Sequence, residues 1–380
     1  MNIAGFVIRR ERLKRAWSQE GLCDGICAVS YLSKIEQGKV EASTEVLKLL
    51  LERLDLSWNL TDTTEVEALV EECYEALLAG RESLCEEKLA PLLKRKDWEC
   101  GACAIDLLLL QKFFMQEKCF LETELEPYMS NRQLGLQYLL KGQDKMAITI
   151  YPCAYFYLIC GRHRYYNGEY PAATEMLRIA CQMAADAGLV YIMMLGRVYM
   201  GNCYSDMGDI DHMIENYVVA NRLAEALQDV ETQRSIQYNI ASTRLGCGQI
   251  QEAFPYFAEL EHPSAMDLHK LAICYEQTGR TKEARAAIEK AYDLLQEEEA
   301  DTKETIKKML DVVAYRLAHT DYLETDGYGA ILLDCFEELQ RTLPKGYAGF
   351  HLQWVLEWYK ANRQYKQACA LLEKFPQKTL

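Results

Sequence analysis

Residue types that catalyse or hold metals are present but scattered. The histidines His163, His212, His262, His269, His319 and His351 show no spacing that would let two share an ion. No HExxH, GxSxG or phosphate-cradling Gly–Lys loop occurs. Cys100-Gly-Ala-Cys103 has metal or redox spacing, but no second Cys/His pair stands in register with it, and it falls in a stretch expected to be helical. No enzyme and no cofactor is expected. The pattern that points to binding is Ser30-Tyr-Leu-Ser-Lys-Ile-Glu-Gln-Gly38. Leu32 and Ile35 give it an apolar side, Ser30, Tyr31, Ser33 and Lys34 can each reach a polar partner, and Gly38 stops the helix. A helix that packs on one face and offers donors on the other suits a DNA groove.

Four short helices position this stretch. The first runs over 3–16, with Phe6, Val7 and Leu13 on one side. Ser18 caps a second helix that opens with Gln19-Glu20, and Leu22 and Ile26 bracket a turn at Asp24-Gly25. The third helix covers 28–37. The fourth starts at Ser43 and buries Val46, Leu47, Leu50 and Leu54. Cys23 and Cys27 read as small core residues at the corner.

The order SQE, GIC, SYLSKIEQG and S-x-E-x-L resembles the helix–turn–helix domain of the phage-repressor and xenobiotic-response type. The resemblance implies that Val29, Ser30 and Lys34 meet base edges, with Tyr31 beside them. It also implies that Gln19, Arg12 and Lys39 contact phosphates. Lysines and helix N-termini are chemically suited to those roles. One departure is Ala28, which stands where the family has a Ser or Thr cap on the recognition helix; its absence costs about 1 kcal/mol of helix stability.

The chain has 380 residues, a net charge of −15 and 8 prolines. That length allows two or three domains, and scarce proline fits an all-α fold. Residues 1–56 hold nine Lys/Arg and eight Asp/Glu, with Arg9, Arg10, Arg12, Lys14 and Arg15 clustered early, so nearly all the acidity lies in the body. Such a body repels nucleic acid. No apolar run is long enough for a membrane span and the N-terminus lacks a secretory apolar core. A cytoplasmic location follows as an expectation, with the 15 cysteines as free thiols.

Residues 57–64 read as a joint. Helices are expected over 65–79, 82–94, 99–116 and 132–142, without a clean repeat. Beyond 150 a repeat emerges. Gly168, Gly208, Gly248 and Gly279 recur in NGEY, MGDI, CGQI and TGRT. Seven residues earlier stand Gly161, Gly201, Ala241 and Ala272; five later, Ala173, Met213, Ala253 and Ala284. Nine later come Leu177, Tyr217, Phe257 and Ile288, and twelve later Ala180, Ala220, Leu260 and Ala291. Small residues let two antiparallel helices approach, the large one fills the gap, and the glycine turns the chain at positive φ. This is similar to the tetratricopeptide repeat. A weaker unit spans 350–374, with Leu356, Tyr359, Ala368 and Leu372 in matching places and Arg363 at the glycine site. Helices over 303–319 and 325–343 complete the array.

In such arrays the first helix of each pair lines the concave side. Counting back from the glycines gives Tyr155, Arg162, Tyr199, Asn202, Tyr238, Asn239, Ser242, His269 and Lys270 as an inward set. Amides that bond a peptide backbone, tyrosines that pack its side chains and cations that hold a carboxylate suit an extended peptide. Asn and Tyr are also ordinary on a solvated helical face.

The expected architecture is therefore a helix–turn–helix head of four or five helices over 1–56, a helical connector over 57–150, and a right-handed repeat solenoid over 151–380. Together they resemble the peptide-sensing regulators of the Rgg, PlcR and PrgX type. That resemblance implies a homodimer that reads double-stranded operator DNA and takes a short linear peptide on its concave face. A repressor with no small effector and a protein-interaction scaffold remain open. The apolar C-terminal run QWVLEWYKANRQY is a candidate for the dimer surface.

Overall fold

Ser18 accepts a hydrogen bond from the Gly21 amide and Ser43 one from Val46, so two of the first four helices start at side-chain caps. In a computed structural model, residues 4–40, 42–56, 63–94, 103–115, 123–297 and 300–375 are described. Among them the regular elements are helical, with no strand. The chain divides into two compact units: residues 1–160 with 179–192, and 161–178 with 193–380.

The first unit opens with α1 (Ala4–Lys14), α2 (Gln19–Cys23), α3 (Val29–Glu36) and α4 (Thr44–Arg53). Phe6, Val7, Ile8, Leu22, Leu32, Ile35, Leu47, Leu50 and Leu51 form their core. Leu13, expected on the inner side of α1, is 56% exposed, and Ile8 takes the inward place. Gly5 lies against the Ile35 carbonyl so closely that a methyl group there would overlap it. Arg53 donates to the carbonyl oxygens of Leu22 (3.0 Å) and Asp24, which ties α4 to the α2–α3 turn. Cys23 is buried and Cys27 half-buried.

Next come α5 (Thr63–Leu78), α6 (Glu82–Leu93), α7 (Ala104–Met115), α8 (Asn131–Leu140) and α9 (Asp144–Ile150). The expected joint lies outside the described residues over 57–62, as does Cys100. Gly80 and Gly142 turn the chain at φ 81° and 67°, so α5–α6 and α8–α9 are helix pairs even where no repeat was visible. α9 is an addition to the expected set. Its seven residues are too short for a periodic signal. Arg132 on α8 forks onto Glu71 (2.7 and 2.8 Å) and lies over the Tyr74 ring at 3.8 Å.

The array follows: α10 (Ala154–Tyr166) and α11 (Tyr170–Ala187), α12 (Val190–Met207) and α13 (Ile210–Leu227), α14 (Val230–Gly246) and α15 (Ile250–Ala258), α16 (Ala265–Gln277) and α17 (Thr281–Leu294). The glycines at 168, 208, 248 and 279 have φ of 75°, 75°, 78° and 76°, a region closed to most side chains. The pairing is that expected from the spacing. A methyl on Gly161 would fall 2.6 Å from the Leu177 side chain, and one on Gly201 would overlap the Tyr217 ring. Ala173, Leu177, Met213, Tyr217, Ala253 and Ala284 are each 0% exposed.

The second unit ends with α18 (Ala300–Ala318), α19 (Asp326–Thr342), α20 (Lys345–Ala361) and α21 (Tyr365–Lys374). Arg363 holds φ 56° at the position where the other pairs have glycine. Leu372 of this last pair is exposed. Trp354, Val355 and Trp358, the core of the apolar C-terminal run, are buried within the chain, so they are not a bare surface. α20 folds back within the second unit: the Lys345 ammonium donates to the Asn167 carbonyl, and Gly346 lies against the Asp206 carboxylate.

Candidate nucleic-acid interface and concave site

On α3, Leu32 and Ile35 point into the head. Val29, Ser30 and Lys34 are exposed, Tyr31 is half-buried, and Lys39 is exposed just beyond the helix. Ala28 is the N-cap and makes no side-chain cap bond; its carbonyl accepts from the Tyr31 and Leu32 amides at 2.9 and 3.0 Å. Gln37 donates to Ser33 at 3.1 Å and stiffens the last turn.

Two expected phosphate contacts are corrected. Arg12 is buried: it forks onto the Glu36 carboxylate at 2.6 and 2.8 Å and donates to the Trp17 carbonyl at 2.7 Å. Gln19 donates to the same carboxylate at 2.8 Å. Burying the Glu36 charge demands partners from α1 and α2, and both side chains are used for that. Glu36 went unnoticed as the hub. The signal available was an acidic residue directly after Ile35 on the packed side.

In the second unit, α10, α12, α13, α14, α16 and α20 border a hollow open to solvent, with a cavity volume of about 90 Å³. Asn202, Tyr238, Asn239, Ser242 and Lys270 line it. Asn202 accepts from Tyr217 (2.6 Å) and from Asn239 (3.2 Å), so the two amides are tied together on the wall of the hollow. The Lys270 ammonium sits 3.1 Å from the Phe350 ring centre. Tyr199 packs edge-on to Tyr165, a lining residue, at 5.7 Å. Arg162 is half-buried on α10 and is not among the lining residues.

Tyr155 and His269 are corrections. Tyr155 is wholly buried and donates to Glu82 at 2.9 Å inside the first unit. His269 is wholly buried, its ring 5.9 Å from that of His351. Burial, with the Lys270 charge beside it, pulls its pKa well below the usual histidine value. The count from the glycine fixed the helix but not the phase: Lys270, itself only 2% exposed, borders the hollow while its neighbour turns 100° away into the core.

Sequence reasoning missed the α20 wall, Gly346, Tyr347, Gly349 and Phe350, and also Asp206. Small and aromatic residues alternating in GYAGFH were the available signal. Cys103 is buried, with its thiol pushed up to about 12 by desolvation, which makes it a poor nucleophile. Among the described residues no three of His, Cys, Asp and Glu gather where they could hold a metal ion, and no helix is long and apolar enough to cross a membrane.

A capped four-helix head whose third helix leaves one face exposed, followed by stacked helix pairs, is the architecture of a helix–turn–helix DNA-binding regulator. Residues 8–60 match the helix-turn-helix family model. The chain is similar to the transcriptional activator NprA of Geobacillus stearothermophilus, with 23% identity over 91% of this chain and 96% of that protein. Among solved structures it is similar to a Rap protein complexed with competence and sporulation factor: 14% identity, 82% of this chain, 97% of that chain, TM-score 0.57. Bacillus thuringiensis PlcR, in complex with the peptide PapR7 and DNA, also matches, at 14% identity, 82% of this chain, 99% of that chain and TM-score 0.34. The likeness to the Rap protein shows a shared helical-repeat fold.

Proposed function

We propose that this protein is a cytoplasmic transcription regulator whose body binds a short linear peptide and thereby alters DNA binding by its head. Residues 1–56 serve as the DNA-binding head, 57–150 as a connector and 151–380 as the peptide-binding body, and the working form is a homodimer on a two-fold operator. The observation that carries the reading is the hollow. It carries a hydrogen-bonded Asn202–Asn239 pair beside Tyr238, side-chain amides of the kind that pair with a peptide backbone. The similarity to a transcriptional activator along nearly the whole chain supports the regulator half. Coupling requires the peptide to bind two arrangements of the protein with different affinity.

A repressor without an effector is the second reading, favoured by the α20 side chains Tyr347 and Phe350 that already form one wall. Two measurements separate the readings. Gel shifts with the protein and an operator selected from random duplexes test the head: Lys34→Ala is expected to cost about 1–3 kcal/mol and relax specificity at one base position. Unchanged specific binding removes Lys34 as a reader. Calorimetry with a pool of short linear peptides tests the body, and no heat with any of them favours the effector-free repressor.

A further inference from the structure

Gly80 turns α5 into α6, and the offsets that mark the later helix pairs hold about it. Seven residues before it stands Cys73 and five after it Cys85; nine and twelve after it stand Leu89 and Leu92. Other pairs carry small residues at the first two places: Gly135 with Ala147 about Gly142, and Gly161 with Ala173 about Gly168. The two helices of a pair come close there, since a methyl on Gly161 would stand 3.4 Å from the Ala173 carbonyl oxygen. Cysteines at both places therefore set two thiols face to face across α5 and α6. Their side chains are hydrogen-bonded to each other, and both residues are 0% exposed. Glu72, the residue before Cys73, and Lys88, one turn after Cys85, bridge the same two helices at 2.6 Å. Those two side chains are 49% and 35% exposed, so the thiols lie just beneath a solvated ion pair.

Two sulfurs already in contact across a close helix pair meet the approach that a disulfide requires. We infer that Cys73 and Cys85 form a reversible oxidation site, a dithiol that hydrogen peroxide converts to a disulfide clamping α5 to α6. The two thiols take different parts. The hydrogen bond from Cys85 draws the Cys73 thiol below its usual pKa; burial opposes this and the Lys88 ammonium assists it. Cys85 is raised by the same bond and by burial, so it keeps its proton. Cys73 is the nucleophile. Its thiolate attacks one peroxide oxygen and the O–O bond breaks, leaving a sulfenic acid on Cys73 and a hydroxide that takes up the proton Cys73 released. The Cys85 sulfur then attacks the sulfenic sulfur. The S–S bond forms, the S–O bond breaks, and the Cys85 proton leaves with the hydroxyl group as water. Two thiols and one peroxide become one disulfide and two waters, with two electrons passing from sulfur to oxygen. Peroxide enters by local opening of the pair, whose outer edge is held by a solvated ion pair, a weak contact. Cys23 and Cys27 also touch, but burial and the Cys23 thiol hold Cys27 above its usual value, which leaves it the slower pair.

The test treats the reduced full-length protein with hydrogen peroxide, then unfolds it, alkylates the remaining thiols and digests it with trypsin for mass spectrometry. Trypsin cuts after Arg81, between the two cysteines, so a disulfide joins two separate peptides. The expected product is that joined pair, lighter by two hydrogens, not alkylated, and released by dithiothreitol. Cys247 and Cys369 are exposed and report the oxidant dose. The oxidised protein is expected to melt at a higher temperature than the reduced one, and dithiothreitol to reverse the shift. Cys85→Ser is expected to stop the reaction at a Cys73 sulfenic acid, trapped by dimedone. Lys88→Met removes the assisting charge and is expected to slow disulfide formation by up to about 10-fold. Circular dichroism of the reduced variants establishes that they are folded. Cys73 and Cys85 both alkylated at a dose that oxidises Cys247, or a disulfide joining Cys73 to any other cysteine, overturns the inference. An unchanged rate in Lys88→Met overturns the assignment of Cys73 as the attacking thiolate.

Discussion

Two basic residues of the head look alike in the sequence and differ completely in what they do. Lys34 is exposed on α3, the helix proposed to read DNA; Arg12 neutralises Glu36 inside the head, where the two side chains are 9% and 2% exposed. Arg12→Ala leaves a buried carboxylate without its cation and is expected to destabilise the head by about 3 kcal/mol. Lys34→Ala leaves the melting temperature unchanged. Urea unfolding of the two variants followed by circular dichroism checks the contrast, and an Arg12→Ala protein as stable as the parent refutes it. The buried His269 and His351 give a second residue-scale prediction. Desolvation, with the Lys270 and Arg316 charges facing them, lowers both folded pKa values below 6.5, that of His351 to about 3. Between those values the unfolded chain binds protons that the native protein refuses. The contribution is therefore fully present above pH 6.5 and is lost as pH falls toward 3, at up to about 1.4 kcal/mol per pH unit for each histidine. Melting temperatures from pH 7.5 to 5 are expected to fall, and His351→Gln to flatten that slope.

At the scale of the element, the repeat was legible because its causes are local. A helix pair needs a positive-φ hinge, a small residue before it and a large one after it, and those requirements recur at fixed offsets in one strand of text. Gly201 and Tyr217 show how tightly the offsets bind. The ring occupies the space where a side chain at 201 would begin. Gly201→Ala is expected to cost about 1–3 kcal/mol by overpacking, and adding Tyr217→Leu is expected to return part of that loss. Additive destabilisation in the double mutant would show that the two helices do not meet there. The remainder was illegible for equally physical reasons. Tyr155 and His269 fall on the right helices, but a 100° step separates core from lining, and nothing local marks which side the next helix will cover. The α20 wall depends on a contact 178 residues away in sequence, which no window of periodicity reaches. Glu36 was hidden because burial of a charge is decided by partners on other helices.

Across the whole molecule, charge is divided by task. The head is close to neutral with exposed cations, while the body is acidic and unattractive to a duplex. On the proposed reading, affinity for DNA rests on a few phosphate contacts from each head of a homodimer. In gel shifts with the full chain, Lys39→Gln is expected to weaken binding to all sequences alike. For a pair of heads it is also expected to reduce the magnitude of the log–log salt slope by about 2, near 0.9 for each lost contact. A slope that does not move removes Lys39 from the phosphate set. The ammonium of Lys345 on the Asn167 carbonyl has a consequence of another kind. Stacked helix pairs ordinarily fray from an end, because each touches only its neighbours. Tying α20 back to the turn at Asn167 adds a long-range link to a stack otherwise held only by neighbours, so melting of the second unit no longer has to run one pair at a time. Amide exchange across residues 193–361 should then proceed in one concerted step rather than peeling inward, and cutting the tie with Lys345→Ala should restore the gradient.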